Sequence, residues 1–283
     1  MAIETLGIIG AGTMGNGIAQ IAAQAGLRVV MLDVDDAALE RGLKSIRGSL
    51  DRLLKKEKIT AIDRDGAIAR IKGITDIVNL AAADYCIEAA TENEPVKLKI
   101  LADADRVLQP GAIIATNTSS ISITKLATAT GRPDKFIGMH FFNPVPLMAL
   151  VELIRGLQTS ESTLATAQEL ARRLGKSPIT VKNSPGFVVN RILCPMINEA
   201  IFAYQEGLAT AEEIDSGMKL GCNHPIGPLA LADMIGLDVM LAVMNVFYDG
   251  FNDSKYRPAP LLKEMVDAGY LGRKTGRGFY LYE

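Results

Sequence analysis

Apolar and polar positions in the first half of the chain follow two alternating rhythms. Short apolar runs, "LGIIG", "RVVMLD", "DYCIEAA", "AIIATNT" and "KFIGMHFF", are separated by stretches such as "MGNGIAQIAAQAG", where apolar residues return every three or four positions. The first rhythm is that of strands and the second that of helices. Their alternation predicts an α/β fold with a mostly parallel sheet covered by helices on both faces. Between Asp33 and "DYCIEAA" the connection is unusually long. Leu39, Leu43, Ile46, Leu50 and Leu53 recur at steps of four and three, one apolar stripe, and "RDGAIARIKGI" reads as a second helix. An ordinary crossover needs only about a dozen residues, so the surplus predicts an antiparallel helix pair projecting from the sheet.

Past "KNSPGF" the strand rhythm stops and the chain reads as helices: "VVNRILCPMINEAIFAYQEG", "TAEEIDSGMKLG", "PLALADMIGLDVMLAVMNVFYDG" and "PLLKEMVDAGYLG". Pro185 and Gly186 interrupt regular structure and mark a boundary. Two domains are expected, residues 1–183 of Rossmann type and residues 184–283 all-helical. The second is small and its helices are apolar, so it should pack on the first domain and on another subunit. The most membrane-like segment, "PLALADMIGLDVMLAVMNVF", is broken by Asp233 and Asp238, and a charge at bilayer depth costs roughly 3 kcal/mol. A buried helix is expected there, and no membrane partner.

Composition narrows the function. With 283 residues, 48% of them hydrophobic, the chain can bury a substantial core. A formal charge of −2 gives no global attraction to nucleic acid or to an anionic membrane, so any basic site must be local. Cys86, Cys194 and Cys222 lie far apart, without CxxC spacing, and three cysteines cannot all pair within one chain. That favours a reducing compartment and no metal site. The start "MAIETLGIIG" runs into a strand without the features of a secretory or transit segment, so a cytoplasmic location is expected.

Gly10, Gly12 and Gly15 form GxGxxG between a strand and a helix. The spacing supplies a tight turn, room for a pyrophosphate to approach backbone, and close helix packing, with unpaired helix N–H groups facing the phosphates. Asp33 ends the second strand 18 residues after Gly15, where a carboxylate accepts hydrogen bonds from an adenosine ribose and repels a 2′-phosphate. NAD is therefore expected over NADP. The competing role for Asp33 is to cap the following helix.

An oxidoreductase acting on an alcohol needs the protein to supply a base. The chain has two histidines, His140 and His224. His140, in "GMHFFNPVP", stands at the end of a strand-like run, where ligands of open α/β sheets gather. Glu152, in "LVELI", follows 12 residues later, enough for a turn and a return strand that brings its carboxylate to the imidazole. From the residues alone, His140 is equally well a satisfied core histidine, and His224, in "GCNHPIGP", reads as a loop or packing residue. In "ATNTSSISI", Asn117, Thr118, Ser119 and Ser120 end another strand, and helix capping is the simpler reading of such a cluster. Asn190, in "GFVVNRI", is an amide among apolar neighbours that needs a partner, a substrate carbonyl across the domain cleft being one. Lys55, Lys56 and Lys58, in "DRLLKKEKIT", read as a solvated face or as a landing site for an anionic handle.

Taken together, "GIIGAGTMGNGIA", "ATENEPVKLKI", "ATNTSSISIT", "HFFNPVPLMALVE", "NSPGFVVNRIL" and "GRKTGRGFYLYE" resemble the short-chain L-3-hydroxyacyl-CoA dehydrogenases, and within them the bacterial 3-hydroxybutyryl-CoA dehydrogenases, over essentially the whole chain. The resemblance implies an NAD-dependent interconversion of (S)-3-hydroxybutyryl-CoA and acetoacetyl-CoA. It makes His140 the acid/base and Glu152 its partner, with Ser119 and Asn190 around the substrate's 3-oxygen. It places Gly10, Gly12, Thr13, Met14, Gly15, Asp33, Glu92, Lys97, Asn117 and Asn143 along the cofactor, and Ser49 and Lys56 on coenzyme A, so that the helix pair becomes a substrate clamp. It also implies a homodimer through the C-terminal domain. Two rivals are a β-hydroxyacid dehydrogenase acting on free acids and a non-catalytic NAD(H)-binding module. The first relies on a lysine that "SPGFVVNRILCPMINEA" lacks; the second leaves the set Ser119, His140, Glu152 and Asn190 without a purpose. Acyl chain length and physiological direction, whether oxidation in fatty-acid metabolism or reduction toward butanoate or storage polymer, are not written in these motifs.

Overall fold

The computed structural model describes residues 3–283, which divide into two compact units, residues 3–183 and 184–283. In the first unit the described residues form an eight-stranded sheet. Its strands are β1 (Thr5–Ile9), β2 (Arg28–Leu32), β3 (Ile71–Ile74), β4 (Tyr85–Glu88), β5 (Ile113–Thr116), β6 (Phe136–Phe141), β7 (Leu150–Arg155) and β8 (Ser177–Lys182). The spatial order is β3-β2-β1-β4-β5-β6-β7-β8. The first six strands are parallel, β7 returns antiparallel to β6, and β8 runs parallel to β7. This is the doubly wound arrangement, in which the chain order reverses between β1 and β4 and the strand ends part to leave a crevice for ligands. Strands β1, β4 and β6 are buried at every position, which is why they read as unbroken apolar runs.

Helices α1 (Thr13–Gln24), α2 (Asp36–Lys55), α3 (Ala61–Ala69), α4 (Glu94–Val107), α5 (Ile123–Ala127) and α6 (Glu161–Arg173) complete this unit. Local chemistry sets their ends. Asp35 caps α2 by accepting from the Ala38 N–H, and Thr60 and Asp63 form a reciprocal capping box at α3. The stripe on α2 buries Leu39, Ile46 and Leu50, and both α2 and α3 pack on α1. One expectation fails here: "RDGAIARIKGI" is not helical throughout. Helix α3 ends at Ala69, and Ile71–Ile74 becomes β3, paired in parallel with β2. A four-residue edge strand in which only Ile74 is fully buried carries no period of its own; the ladder to β2 decides it. Strand β8, mostly exposed, is likewise silent in the sequence pattern.

The second unit is built from α7 (Val189–Gln205), α8 (Ala211–Gly221), α9 (Pro228–Ile235), α10 (Leu237–Phe251) and α11 (Pro260–Asp267), around Ile197, Ile201, Leu229, Met240, Met244 and Phe247. The membrane-like segment is two helices, bent by 98° at Gly236, whose φ is +104°. Among the described residues no single helix is long and apolar enough to cross a membrane. The two carboxylates that break the segment hold the chain's last stretch. Buried Asp233 accepts from the N–H groups of Phe279 and Tyr280 and from the Tyr282 hydroxyl, and Asp238 pairs with Lys274 at 2.5 Å.

Candidate active site

The glycine turn joins β1 to α1. Gly10 has φ +101°, and a Cβ there would lie 2.7 Å from the backbone of Ala89 and Ala90 on the neighbouring chain segment. A Cβ on Gly15 would strike the Gly10 carbonyl at 1.8 Å. Gly12 differs, because a Cβ there would meet nothing within 4 Å. Two glycines thus close the turn on itself, while the third leaves open space above the end of α1. No side chain caps that helix, so its first turn, Thr13 to Gly15, offers N–H groups to an anion. Asp33 faces the same turn, one oxygen accepting from Ala11 N–H at 2.6 Å and the other from Val34 N–H at 2.7 Å. These bonds fix the carboxylate and leave lone pairs on each oxygen for further donors. The residues present fit a dinucleotide: open backbone and an uncapped helix for the pyrophosphate, an oriented carboxylate for the ribose.

Beyond the switch point, the ends of β5, β6 and β7 converge. His140 and Glu152 are directly opposed in the antiparallel register of β6 and β7, which puts both side chains on one face. Nδ1 of His140 lies 2.7 Å from a Glu152 oxygen, and Glu152 is wholly enclosed. An ionised carboxylate there accepts from Nδ1–H, so in the neutral ring Nε2 is the accepting nitrogen. That nitrogen is 3.0 Å from the Ser119 hydroxyl. Ser119 is itself held by Glu92, one oxygen of which accepts from the Ser119 N–H at 2.8 Å, the Thr118 hydroxyl at 2.7 Å and the Ser120 hydroxyl at 3.1 Å. Asn117 links the strand ends by accepting from the Phe141 N–H at 2.9 Å.

The loop from β6 to β7 is anchored on both sides. Val145 packs so closely on Gly17 of α1 that a Cβ at Gly17 would approach it to 2.8 Å. Lys176, just before β8, donates to the carbonyls of Val145 at 2.5 Å and Met148 at 2.8 Å, and burial lowers its affinity for the proton. Asn143, on this loop, joins Ser49 and Arg52 of α2 and Lys56 at its C-terminal cap in lining a cavity of about 310 Å³ in the first unit. Of the three clustered lysines, Lys56 lines it.

Lys97, in α4, is buried. Its ammonium has no exposed surface; it is 2.5 Å from Glu88, 3.3 Å from the Thr116 hydroxyl and 4.0 Å from Glu92. Asn190 stands in the first turn of α7, in the second unit, and His224 in the loop after α8. Sequence reasoning passed over Glu88, Arg52 and Lys176. Glu88 left a signal, a carboxylate inside the apolar run "DYCIEAA", which requires a partner. Arg52 lies between Ser49 and Lys56 at helical spacing. Lys176 left none.

Two family models cover the chain. The 3-hydroxyacyl-CoA dehydrogenase NAD-binding domain matches residues 5–184 and the C-terminal domain of the same family matches residues 186–282. A 3-hydroxybutyryl-CoA dehydrogenase of Bradyrhizobium diazoefficiens is 52% identical over 280 residues, 99% of this chain and 96% of the relative. A probable 3-hydroxybutyryl-CoA dehydrogenase of Deinococcus radiodurans is 53% identical over 276 residues, 98% of this chain and 99% of the relative. Among solved structures, the (S)-3-hydroxybutyryl-CoA dehydrogenase PaaH1 of Ralstonia eutropha superposes with a TM-score of 0.98 at 67% identity, each chain covered completely. With both domains matched in order and relatives alike from end to end, the chain belongs to the 3-hydroxyacyl-CoA dehydrogenase family.

Proposed function

We propose that this protein interconverts (S)-3-hydroxybutyryl-CoA and acetoacetyl-CoA, using NAD. The observation that carries the proposal is the line Ser119, His140, Glu152, set at the strand ends of the sheet that also holds the dinucleotide turn. NAD, when bound, supplies the acceptor or donor of the hydride. The chain's own task is the proton at the substrate's 3-oxygen. In oxidation, neutral His140 takes that proton at Nε2, and buried Glu152 stabilises the imidazolium that results; in reduction, the imidazolium returns it. The Ser119 hydroxyl, within reach of Nε2, orients the 3-oxygen, and Asn190 is assigned to the substrate's carbonyl groups. Ser49 and Lys56 are assigned to the coenzyme A end, with the lysine supplying positive charge to its phosphates.

The same reading carries three further proposals. The domains divide at residues 183 and 184. The protein is a homodimer through the helical unit, where Met196, Ala200, Leu208, Ile214 and Met218 line an apolar groove of about 500 Å³; sedimentation at micromolar concentration tests it, and a monomer refutes it. The compartment is the cytoplasm, in keeping with cysteines that are free.

The deciding assay follows NADH loss with acetoacetyl-CoA, with free acetoacetate and NADPH as controls. Rapid loss with the thioester and NADH alone is expected. Equal rates with free acetoacetate refute the coenzyme A assignment, and silence with every substrate refutes the reaction. His140→Gln should bind NADH almost as the wild type does and lose about 10²-fold or more in turnover; near-normal turnover would remove His140 from the role.

A further inference from the structure

The proton-transfer line leaves one feature without a purpose, two opposite charges sealed inside the end of the sheet. Glu88, the last residue of β4, and Lys97, in α4, are both wholly enclosed, with Nζ 2.5 Å from Oε2. On the same face of the paired strands β4 and β5, two residues back, Cys86 and Ile114 are fully buried and apolar. Desolvating two ions usually consumes what their attraction returns, so an apolar pair of similar volume would serve packing as well or better. What the pair does is hold neighbouring groups. The same Glu88 oxygen accepts from the Thr116 hydroxyl at 2.7 Å. The other accepts from the Ala90 N–H at 2.9 Å, on the stretch of backbone that Gly10 touches. Lys97 reaches the Thr116 hydroxyl as well, and its charge stands 4.0 Å from the free oxygen of Glu92.

Glu92 is the residue that needs holding. Its side chain is 46% exposed, so its rotamers are open to it, yet one of its oxygens organises Thr118, Ser119 and Ser120. The positive end of the buried pair faces this carboxylate at 4.0 Å and favours the orientation that keeps one oxygen toward it. We infer that the buried Glu88–Lys97 pair is a positioning device for the reaction: it presets Glu92, and through Glu92 it fixes the Ser119 hydroxyl at hydrogen-bond distance from His140. Neither Glu88 nor Lys97 touches reacting atoms; both act through Glu92. The inference rests on the assignment of Ser119 and His140 made above.

The test is the double variant Glu88→Gln/Lys97→Met in the full-length protein, which removes both charges while keeping volume and the amide's bonds to Thr116 and Ala90. Thermal melting should stay near the wild-type midpoint, while kcat with acetoacetyl-CoA falls about tenfold to a hundredfold, the scale set by a displaced positioning group. Adding Glu92→Ala should then cost little more, because the route is already cut; independent roles would multiply. A folded double variant with wild-type kcat overturns the proposal, and so does a loss that Glu92→Ala multiplies in full. Should the double variant fail to fold, Thr116→Val removes only the bridging hydroxyl, and the same non-additivity with Glu92→Ala is required of it. Ser119→Ala, run in parallel, separates the two levels. Full activity in it removes the assignment on which the proposal rests, whereas an impaired Ser119→Ala beside an unimpaired double variant sinks the positioning role alone.

Discussion

Replacing Glu152 by glutamine isolates one quantity, the charge behind His140. Glutamine keeps the size of the side chain and an oxygen that can accept from Nδ1–H, so the tautomer and ring position survive. The carboxylate oxygen stands 2.7 Å from Nδ1 in a site with no exposed surface on the Glu152 side, so solvent screens the pair little. With charge centres roughly 4 Å apart and an effective dielectric of about 20, the imidazolium gains about 4 kcal/mol from its partner. A neutral amide in its place returns about 1 kcal/mol as an ordinary hydrogen bond. The net loss of about 3 kcal/mol falls on the state in which the ring carries the substrate's proton, and corresponds to roughly a hundredfold in rate. An enzyme cannot move the equilibrium between its substrates, so kcat/KM should drop by the same factor in both directions at a given pH. The assay is steady-state NADH formation with (S)-3-hydroxybutyryl-CoA and NADH loss with acetoacetyl-CoA, on protein whose circular dichroism and melting match the wild type. Values within threefold of wild type in both directions would refute the electrostatic role of Glu152, whatever its part in packing.

Four other outcomes follow from particular contacts. Gly12→Ala should fold normally, because its Cβ meets nothing, yet weaken NADH binding about tenfold or more by occupying the open side of the turn. Gly15→Ala should instead cost stability, about 1–3 kcal/mol, because its Cβ collides with the Gly10 carbonyl; equal effects of the two on melting would contradict the assigned geometry. Burial pushes the thiols of Cys86 and Cys194 up to about 12, with the charge of Glu88 adding to the effect at Cys86. A thiol reagent at mildly alkaline pH should therefore label Cys222 alone in the native protein and all three cysteines after unfolding, and rapid native labelling of a second thiol would refute this. The Thr210 N–H, and then its hydroxyl, hold the Glu213 carboxyl below its usual value of 4.5. A depressed carboxylate adds stability that is complete above that value and is lost as pH falls through the lower, folded one. Glu213→Gln should be the less stable protein in denaturant melts near neutrality, with the gap closing in acid; a gap unchanged by pH would contradict the charged capping box.

The α/β alternation and the NAD turn were legible in the chain because both are local. Gly10, Gly12, Gly15 and Asp33 belong to a single βαβ unit, and the spacing of that unit alone brings the carboxylate back beside the turn. Strand β3 was not legible, because a short edge strand takes its conformation from hydrogen bonds to β2 and carries no pattern of its own. The partnership of His140 and Glu152 lies between these cases. A separation of 12 residues allowed a return strand, but only the antiparallel register chose Glu152 as the residue opposite.

The amino-acid sequence by itself determined the layering of the first unit, the helical character of the second, and the identity of the dinucleotide turn, since each depends on residues close together along the chain. Tertiary structure decided which polar groups meet. It brought Ser119, in the loop after β5, to His140 on β6, enclosed Lys97 against Glu88 with Glu92 4.0 Å away, and brought Asn143 to the cavity that Ser49, Arg52 and Lys56 line. Residue type states that a buried charge or hydroxyl needs a partner; which partner it finds depends on strand order and register, and those follow from the packing of the whole sheet.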